Sequence, residues 1–164
     1  MALGNEIVLT PEPRGRRFEG IIVGTPKPGI VVQVQAGSLE DAGGRKSWEP
    51  YNKATSGVPA LIVILDINHG EGKTKDDAYV SGTRGFFYVP LPGDELNMLV
   101  ADQSGTGATS DFSVGDYLQV EDVTGKLIDG SLATSTNLAA PFQCHENITD
   151  MVGDTHVHVL FTGV

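Results

Sequence analysis

The chain has 164 residues, of which 40% are hydrophobic and 20% are charged, so we expect a globular protein that is neither disordered nor membrane-spanning. A net charge of −10 argues against nucleic acid as a partner, because phosphate binding needs a surplus of lysine and arginine. The single cysteine, Cys144, cannot close a disulfide within the chain, so packing must supply the stability.

The charge is distributed unevenly along the chain. Residues 1–84 contain ten basic and ten acidic side chains, whereas residues 85–164 contain one basic and eleven acidic side chains. This asymmetry predicts an acidic, solvated side and a less repulsive side that is available for docking. The alternative is an acidic surface that only keeps the protein soluble.

Glycine and proline interrupt the sequence throughout. There are 21 glycines and nine prolines, and the longest segments without either residue are 11 residues long. An average helix already needs about 11–12 residues, and both residue types disfavour helix interiors. We therefore predict a single all-β domain over residues 1–164, a compact β-sandwich or β-barrel with long loops and little or no helix.

The first half is predicted to contain an arm, a strand, a loop and a buried strand, in that order. Residues 1–17 are expected to form an extended N-terminal arm. The alternation in Val32-Gln33-Val34-Gln35 places the valines on one face of a strand and the glutamines on the other. Residues 37–57, rich in glycine and charge, are expected to be a charged arm or loop. Ala60–Leu65 is apolar on both faces, which is typical of a central strand or of one covered by a neighbouring subunit.

The second half is predicted to contain short strands that are separated by turns. We predict a tight turn at Pro90–Asp94 and a hairpin turn at Val123–Lys126. Residues 103–110 are expected to form a flexible surface loop. Strands are predicted at Phe86–Val89, Leu96–Val100, Tyr117–Glu121 and Thr155–Phe161. In the last of these, Val157, Val159 and Phe161 share the core face.

Three patterns bear on catalysis or metal binding. Gly72-Lys73-Thr74 is similar to part of a phosphate-binding loop, but Ile67 occupies the position of the required first glycine, so we expect a surface turn. Cys144 and His145 are adjacent in a strand and point to opposite faces, which prevents nucleophilic pairing.

Asp154, His156 and His158 share one face of the last strand and have the side-chain types that bind zinc. No fourth ligand is evident, so we interpret this face as solvated. We expect no catalytic residue, no cofactor and no metal.

Five residues are candidates for contacts with a protein partner or another subunit. Trp48 and Tyr51 are aromatic residues in a charged segment, as interface anchors often are. The alternative is that they fold back on their own domain. Arg14, Arg16 and Arg17 form a basic segment suited to an acidic protein surface, and the alternative is an arm that is merely exposed.

Several segments, in order, resemble the capsid cement or head-decoration proteins of tailed bacteriophages. The opening strand Phe18–Ile22 is followed by the turn and strand Lys27–Val31, and Leu91–Val100 resembles the family's mid-chain turn and strand. Phe112–Leu118 resembles its later Gly-Asp hairpin, and Ala140–Glu146 the segment before its closing strand.

The resemblance implies a non-enzymatic homotrimer on the outer capsid surface of a virion, made in the host cytoplasm. Its partners would be the major capsid protein and its own copies, with no direct contact to nucleic acid or membrane. Its task would be to hold neighbouring capsid subunits together against the pressure of packaged DNA. Two alternatives are another virion β module, such as a tail-tube or spike part, and a small metal-dependent β-barrel enzyme that uses Asp154, His156 and His158.

Overall fold

The computed structural model describes residues 5–10, 15–38, 40–41, 43–52, 61–102, 111–130 and 138–163, the side chains of 138–141 excepted. These residues contain ten β-strands and one turn of 3₁₀ helix, His69–Glu71, so the predicted all-β class is confirmed. The strands are β1 Arg16–Ile22, β2 Val31–Val34, β3 Ser47–Pro50, β4 Val63–Asp66, β5 Arg84–Val89, β6 Glu95–Val100, β7 Tyr117–Val120, β8 Leu127–Asp129, β9 Leu138–Cys144 and β10 Thr155–Phe161.

The strands form two closed barrels of five strands each. The first barrel has the order β1-β3-β2-β4-β5 and closes where β5 pairs with β1. The second has the order β10-β6-β8-β7-β9 and closes where β9 pairs with β10. One pair in each barrel is parallel, β1 with β3 and β6 with β8, and the others are antiparallel. The predicted turn Pro90–Asp94 therefore links the two barrels, because the strands on either side of it belong to different sheets.

The first barrel is filled by alternate side chains of its strands. Ile22, Val32, Leu65 and Phe87 are almost completely buried there, and other partly buried side chains pack against them. A β-carbon at Gly20 would lie 2.5 Å from Cδ1 of Trp48, so the lack of a side chain at this position lets the indole enter the barrel.

A second core cluster joins the two barrels. Val31, Ile64 and Tyr88 point out of the first barrel and belong to the cluster that also contains Leu96 and Met98 of the second. The strand that the sequence shows as apolar on both faces thus buries one face inside the first barrel and the other between the barrels. Ile62 to Leu65 are therefore covered within the chain, whereas Leu61 is 63% exposed.

Backbone contacts reinforce this joint. The amide of Leu99 on β6 donates to the carbonyl of Gly29, and the amide of Val31 on β2 donates to the carbonyl of Gly125, both at 2.8 Å. Gly125 has a φ of +68°, and a β-carbon at this position would overlap the carbonyl oxygen of Val31. The Thr124-Gly125 turn of the second barrel therefore contacts the first barrel through its backbone.

Two of the predicted boundaries need correction. Residues 1–17 were expected to form an extended arm, yet Ile7 and Val8 are buried, the Ile7 carbonyl accepts from the Asn97 amide at 2.7 Å, and β1 starts at Arg16. Residues 37–57 were expected to be an arm or loop, yet they contribute β3, which lies between β1 and β2. Hydrogen bonds to neighbouring strands explain both differences.

The predicted loop at residues 103–110 lies outside the described part of the chain. Among the residues that are described, no helix has the length and apolar character needed to cross a membrane.

Candidate docking surface

One end of the first barrel opens onto a shallow apolar depression of about 350 Å³, here named the barrel mouth. Its walls are Arg16, Phe18, Trp48, Leu61, Val63 and Val89. Leu61 is 63% exposed, which makes it one of the most exposed large apolar side chains in the described residues. Exposed apolar surface that has a charged border is typical of a protein-binding site.

Two aromatic rings line the barrel mouth, those of Phe18 and Trp48, and both pack on the fully buried ring of Phe87. The ring centroids of Phe18 and Trp48 are 5.1 Å apart, those of Trp48 and Phe87 are 5.2 Å apart, and those of Phe18 and Phe87 are 5.3 Å apart. These separations are in the range of favourable aromatic contacts. The rings hold one another in place, so Trp48 would present a preformed edge to a partner. Trp48 thus folds back on its own barrel, which is one of its two alternatives, and it remains half-buried at the barrel mouth. Its role as an interface anchor stays a prediction.

The arginines of β1 point to different sides of the strand. Arg16 lies at the barrel mouth with Phe18. Arg17 points outward, where its Nε lies 3.4 Å from Oδ2 of the buried Asp66 and its guanidinium lies 5.9 Å from the centre of the Tyr88 ring. Arg17 is therefore engaged within its own domain, and Arg16 is the arginine at the barrel mouth. Arg14 lies outside the described residues.

Tyr51 is fully buried in the core cluster that joins the barrels. Its amide donates to the carbonyl of Val31 at 3.0 Å, which fixes the chain just after β3. Burial raises the pKa of its phenol. Of the two alternatives for Tyr51, the structure has the one in which the side chain folds back on its own domain.

The charge asymmetry of the sequence coincides with the division into barrels. Residues 85–93, which end the first barrel and link it to the second, carry no charge. The first barrel and its preceding segment therefore have no net charge, and the second barrel carries the net charge of −10. The barrel mouth thus belongs to the electrically neutral part of the protein.

A second depression, of about 410 Å³, contains four ionisable side chains: Glu6, Arg17, Asp66 and His69. Burial raises the pKa of Asp66, while the hydrogen bond from the Ile67 amide, at 2.8 Å, and the charge of Arg17 oppose this shift. No sequence pattern predicts this depression, because its residues come from three segments that are far apart in the chain, residues 6–10, 17 and 66–69.

The histidines of β10 are directed to different partners, contrary to a shared site with Asp154. Asp154 Oδ2 lies 2.7 Å from Nζ of Lys126. His156 is buried and its Nε2 lies 3.0 Å from the Pro28 carbonyl oxygen. The Nε2 of His158 lies 3.1 Å from Oε2 of Glu95. The three candidate zinc ligands are therefore separated, each by its own contact. The prediction that their shared face is solvated is wrong at His156, which the segment around Pro28 covers.

Cys144 and His145 lie on opposite faces, as the strand pattern predicts. The Cys144 side chain is fully buried and His145 is exposed. Burial also raises the pKa of the Cys144 thiol, which disfavours the reactive thiolate. Gly72 ends the short 3₁₀ turn with a φ of +66°, and no longer helix follows it in the described residues to hold a phosphate.

The barrel mouth is thus an apolar, aromatic-lined depression beside an arginine on the neutral barrel. A surface of this kind can bind the apolar side chains of another protein, with the guanidinium placed to meet an acidic group at the border. Neither a known protein family nor a curated protein sequence matches this chain.

Proposed function

We propose that the protein is a virion structural component that binds the outer surface of a bacteriophage capsid. As a homotrimer, it would stabilise contacts between major capsid subunits against internal DNA pressure. The single observation that carries the docking part is the barrel mouth, which Leu61, 63% exposed, lines together with Phe18, Trp48 and Arg16. The phage context comes from the ordered resemblance of the sequence to capsid cement proteins.

The chemistry of the barrel mouth suits a protein partner. Tryptophan and arginine are over-represented among the residues that dominate binding energy at interfaces, and they act best when neighbouring apolar groups exclude water. Trp48 is already held by Phe18 and Phe87, so little side-chain freedom is lost on binding.

The separation of charge between the barrels supports an oriented attachment. The neutral barrel would approach the shell without strong repulsion, and the acidic barrel would face solvent. A net negative outer surface also keeps decorated particles apart.

The homotrimer is proposed on the resemblance alone, because both faces of the apolar strand are buried within the chain from Ile62 to Leu65. A trimer would allow modest affinity at each contact, since three linked contacts bind far more tightly than one. Light scattering at micromolar concentration tests this part, and a monomer would contradict it.

Binding to undecorated shells of the cognate phage tests the proposal. We expect saturable binding and a higher temperature of shell disruption. Leu61→Asp places a charge in the barrel mouth without disturbing a buried side chain, and it should abolish binding. Val152→Asp, at a residue 87% exposed on the acidic barrel, is the matched control and should bind normally.

Failure of the unmodified protein to bind shells would reject the capsid role. Equal binding by Leu61→Asp would instead reject the barrel mouth as the contact. If electron microscopy of virions placed the labelled protein on the tail, the alternative of a tail-tube or spike module would replace the proposal.

A further inference from the structure

Three potential metal ligands meet on the second barrel, away from the barrel mouth. Glu95 begins β6, His145 directly follows β9, and His158 lies in β10, the strand that pairs with both of the others. One ligand atom from each residue lies within 4.8 Å of the ligand atoms of the other two. Among the described residues, this is the group whose imidazole and carboxylate atoms converge.

The backbone fixes this convergence. The His145 amide donates to the His158 carbonyl at 2.9 Å, so the two histidines lie on adjacent backbone segments, at the end of β9 and in β10. Their rings meet edge to face, with centroids 5.0 Å apart. On the other side of β10, Nε2 of His158 lies 3.1 Å from Oε2 of Glu95. The three side chains are thus brought together by sheet pairing rather than by flexible loops alone.

The distances suit a small divalent cation. Zinc binds imidazole nitrogen at about 2.0–2.1 Å and carboxylate oxygen at about 2.0–2.2 Å, so two ligands of a tetrahedral ion are roughly 3.4 Å apart. The Glu95–His158 pair is already close to this separation, and a rotamer adjustment of the exposed His145 would bring in the third ligand. The net charge of −10 on this barrel favours a cation.

We propose that Glu95, His145 and His158 form a binding site for a divalent transition-metal ion of the zinc type. The fourth position of the tetrahedron is open to water. The ion would connect β6, β9 and β10 across the seam that closes the acidic barrel, and so would stabilise the closed sheet. This site does not depend on the docking role proposed above.

The site involves residues that sequence reasoning separated. His158 was considered with Asp154 and His156 because the three alternate along one strand. In the structure its partners come from the two flanking strands instead.

Equilibrium dialysis and calorimetric titration with zinc chloride test the proposal on the complete chain. We expect one zinc ion per chain for the unmodified protein. His145→Ala removes an exposed ligand, and should weaken zinc binding at least about tenfold. Glu95→Gln, which keeps the shape of the side chain, should do the same. His69→Ala, at an exposed histidine outside the cluster, is the matched control and should bind as the unmodified protein does.

Thermal unfolding provides a second measurement. Zinc at about 100 times its dissociation constant should raise the melting temperature by about 5–10 °C in the unmodified protein and in His69→Ala. The rise should be lost in His145→Ala and Glu95→Gln.

Three results would overturn the proposal. The first is no stoichiometric binding at about 0.1 mM zinc. The second is unchanged binding by both His145→Ala and Glu95→Gln. The third is half an ion per chain together with zinc-induced association in sedimentation, because the ion would then bridge two copies at their surfaces.

Discussion

The phenol of Tyr88 donates a 2.6 Å hydrogen bond to the carboxyl group of Asp94, and both side chains are fully buried. Tyr88 belongs to β5 of the first barrel, whereas Asp94 directly precedes β6 of the second. Asp94 also accepts a hydrogen bond from the Leu91 amide at 2.8 Å. The pair therefore fixes the turn through which the chain passes from one barrel to the other.

Tyr88→Phe should lower the free energy of unfolding by about 1–3 kcal/mol, because a buried carboxyl group loses its donor. Urea unfolding at pH 7 measures this loss. The control is Tyr117→Phe, at a tyrosine that is 60% exposed, where we expect a change within about 0.5 kcal/mol. Similar losses for the two variants would show that the Tyr88–Asp94 bond contributes nothing specific.

Stability should fall in strongly alkaline solution. Burial, supported by the hydrogen bond to Asp94, raises the pKa of Tyr88 to about 12, and burial also raises the pKa of Tyr79. An unfolded tyrosine ionises near pH ~10. The raised pKa values therefore contribute stability that is complete below pH ~10 and is lost as the pH rises towards the folded values.

The Tyr88→Phe variant tests this origin. It should show a shallower alkaline loss of stability than the unmodified protein, with the contribution of Tyr79 remaining. Urea titrations at several pH values above about 9 compare the slopes. Identical slopes would assign the alkaline loss to other groups.

The contact between Gly125 and Val31 should be sensitive to a single methyl group. Gly125→Ala combines a left-handed backbone with an overlap against the Val31 carbonyl oxygen. Gly153→Ala is the matched control, since Gly153 has a φ of +72° but open space around a β-carbon. The control should lose about 1–2 kcal/mol from the strained backbone alone.

Gly125→Ala should lose clearly more stability than Gly153→Ala, measured by urea unfolding under the same conditions. The difference between the two losses in the free energy of unfolding measures how much the contact between the barrels contributes. If the two variants lose the same amount, the Thr124-Gly125 turn does not constrain the first barrel.

Arg16→Ala should weaken binding to undecorated shells about three- to tenfold and make the remaining binding less sensitive to salt. The reason is that one cation leaves the border of the barrel mouth. Lys73→Ala, at an exposed lysine elsewhere on the same barrel, is the control and should leave both quantities unchanged. Equal effects of the two substitutions would show general charge attraction rather than contact at Arg16.

The stability of the Asp66→Asn variant, relative to that of the unmodified protein, should increase as the pH rises from about 3 to 7. Burial raises the pKa of Asp66, so its contribution to stability is complete below its unfolded pKa and is lost as the pH rises through its folded pKa. The asparagine cannot ionise, yet its oxygen can still accept from the Ile67 amide. Urea unfolding of both proteins across this range gives the difference.

Asp77→Asn provides a control of opposite sign. Hydrogen bonds from Thr74 lower the pKa of Asp77, so its contribution is present above the unfolded pKa and is lost as the pH falls. Relative to the unmodified protein, this variant should therefore become less stable as the pH rises. If the Asp66→Asn variant also became less stable than the unmodified protein as the pH rises, burial would not be what raises the pKa of Asp66.

Strong alternation in the sequence predicted strands well. Thr155–Phe161 is β10 with the predicted bounds, and Val157, Val159 and Phe161 are buried. The hairpin turn at Val123–Lys126 is confirmed by the antiparallel pairing of Val120 with Leu127. In these segments the local pattern and the tertiary environment agree.

Tertiary contacts determined the secondary structure and the burial of the segments that were predicted incorrectly. β3, Ser47–Pro50, contains a proline and a glutamate and has no clear alternation, and it is a strand because β1 and β2 flank it. Gln33, expected on the polar face, is buried because its amide donates to Glu49 and to the Asn52 carbonyl, each at 3.0 Å. Val34, expected with Val32, is 36% exposed.

The candidate sites were predictable only in part. Sequence reasoning selected Arg16 and Trp48, but it could not place Leu61 or Val89 beside them, because barrel closure brings these residues together. For the same reason, Glu95 and His145 could not be joined to His158. Sequence distance carries no information about which strands become neighbours across a closed sheet.

The closure of both sheets also limits how the protein can associate. Each named strand has a neighbour on both sides, so the described sheets offer no free edge to which a foreign strand could be added. A partner of the described sheets therefore cannot bind by adding a strand to them. A protein that is packed densely on a shared surface would in this way be protected from fibre-like, edge-to-edge growth between copies.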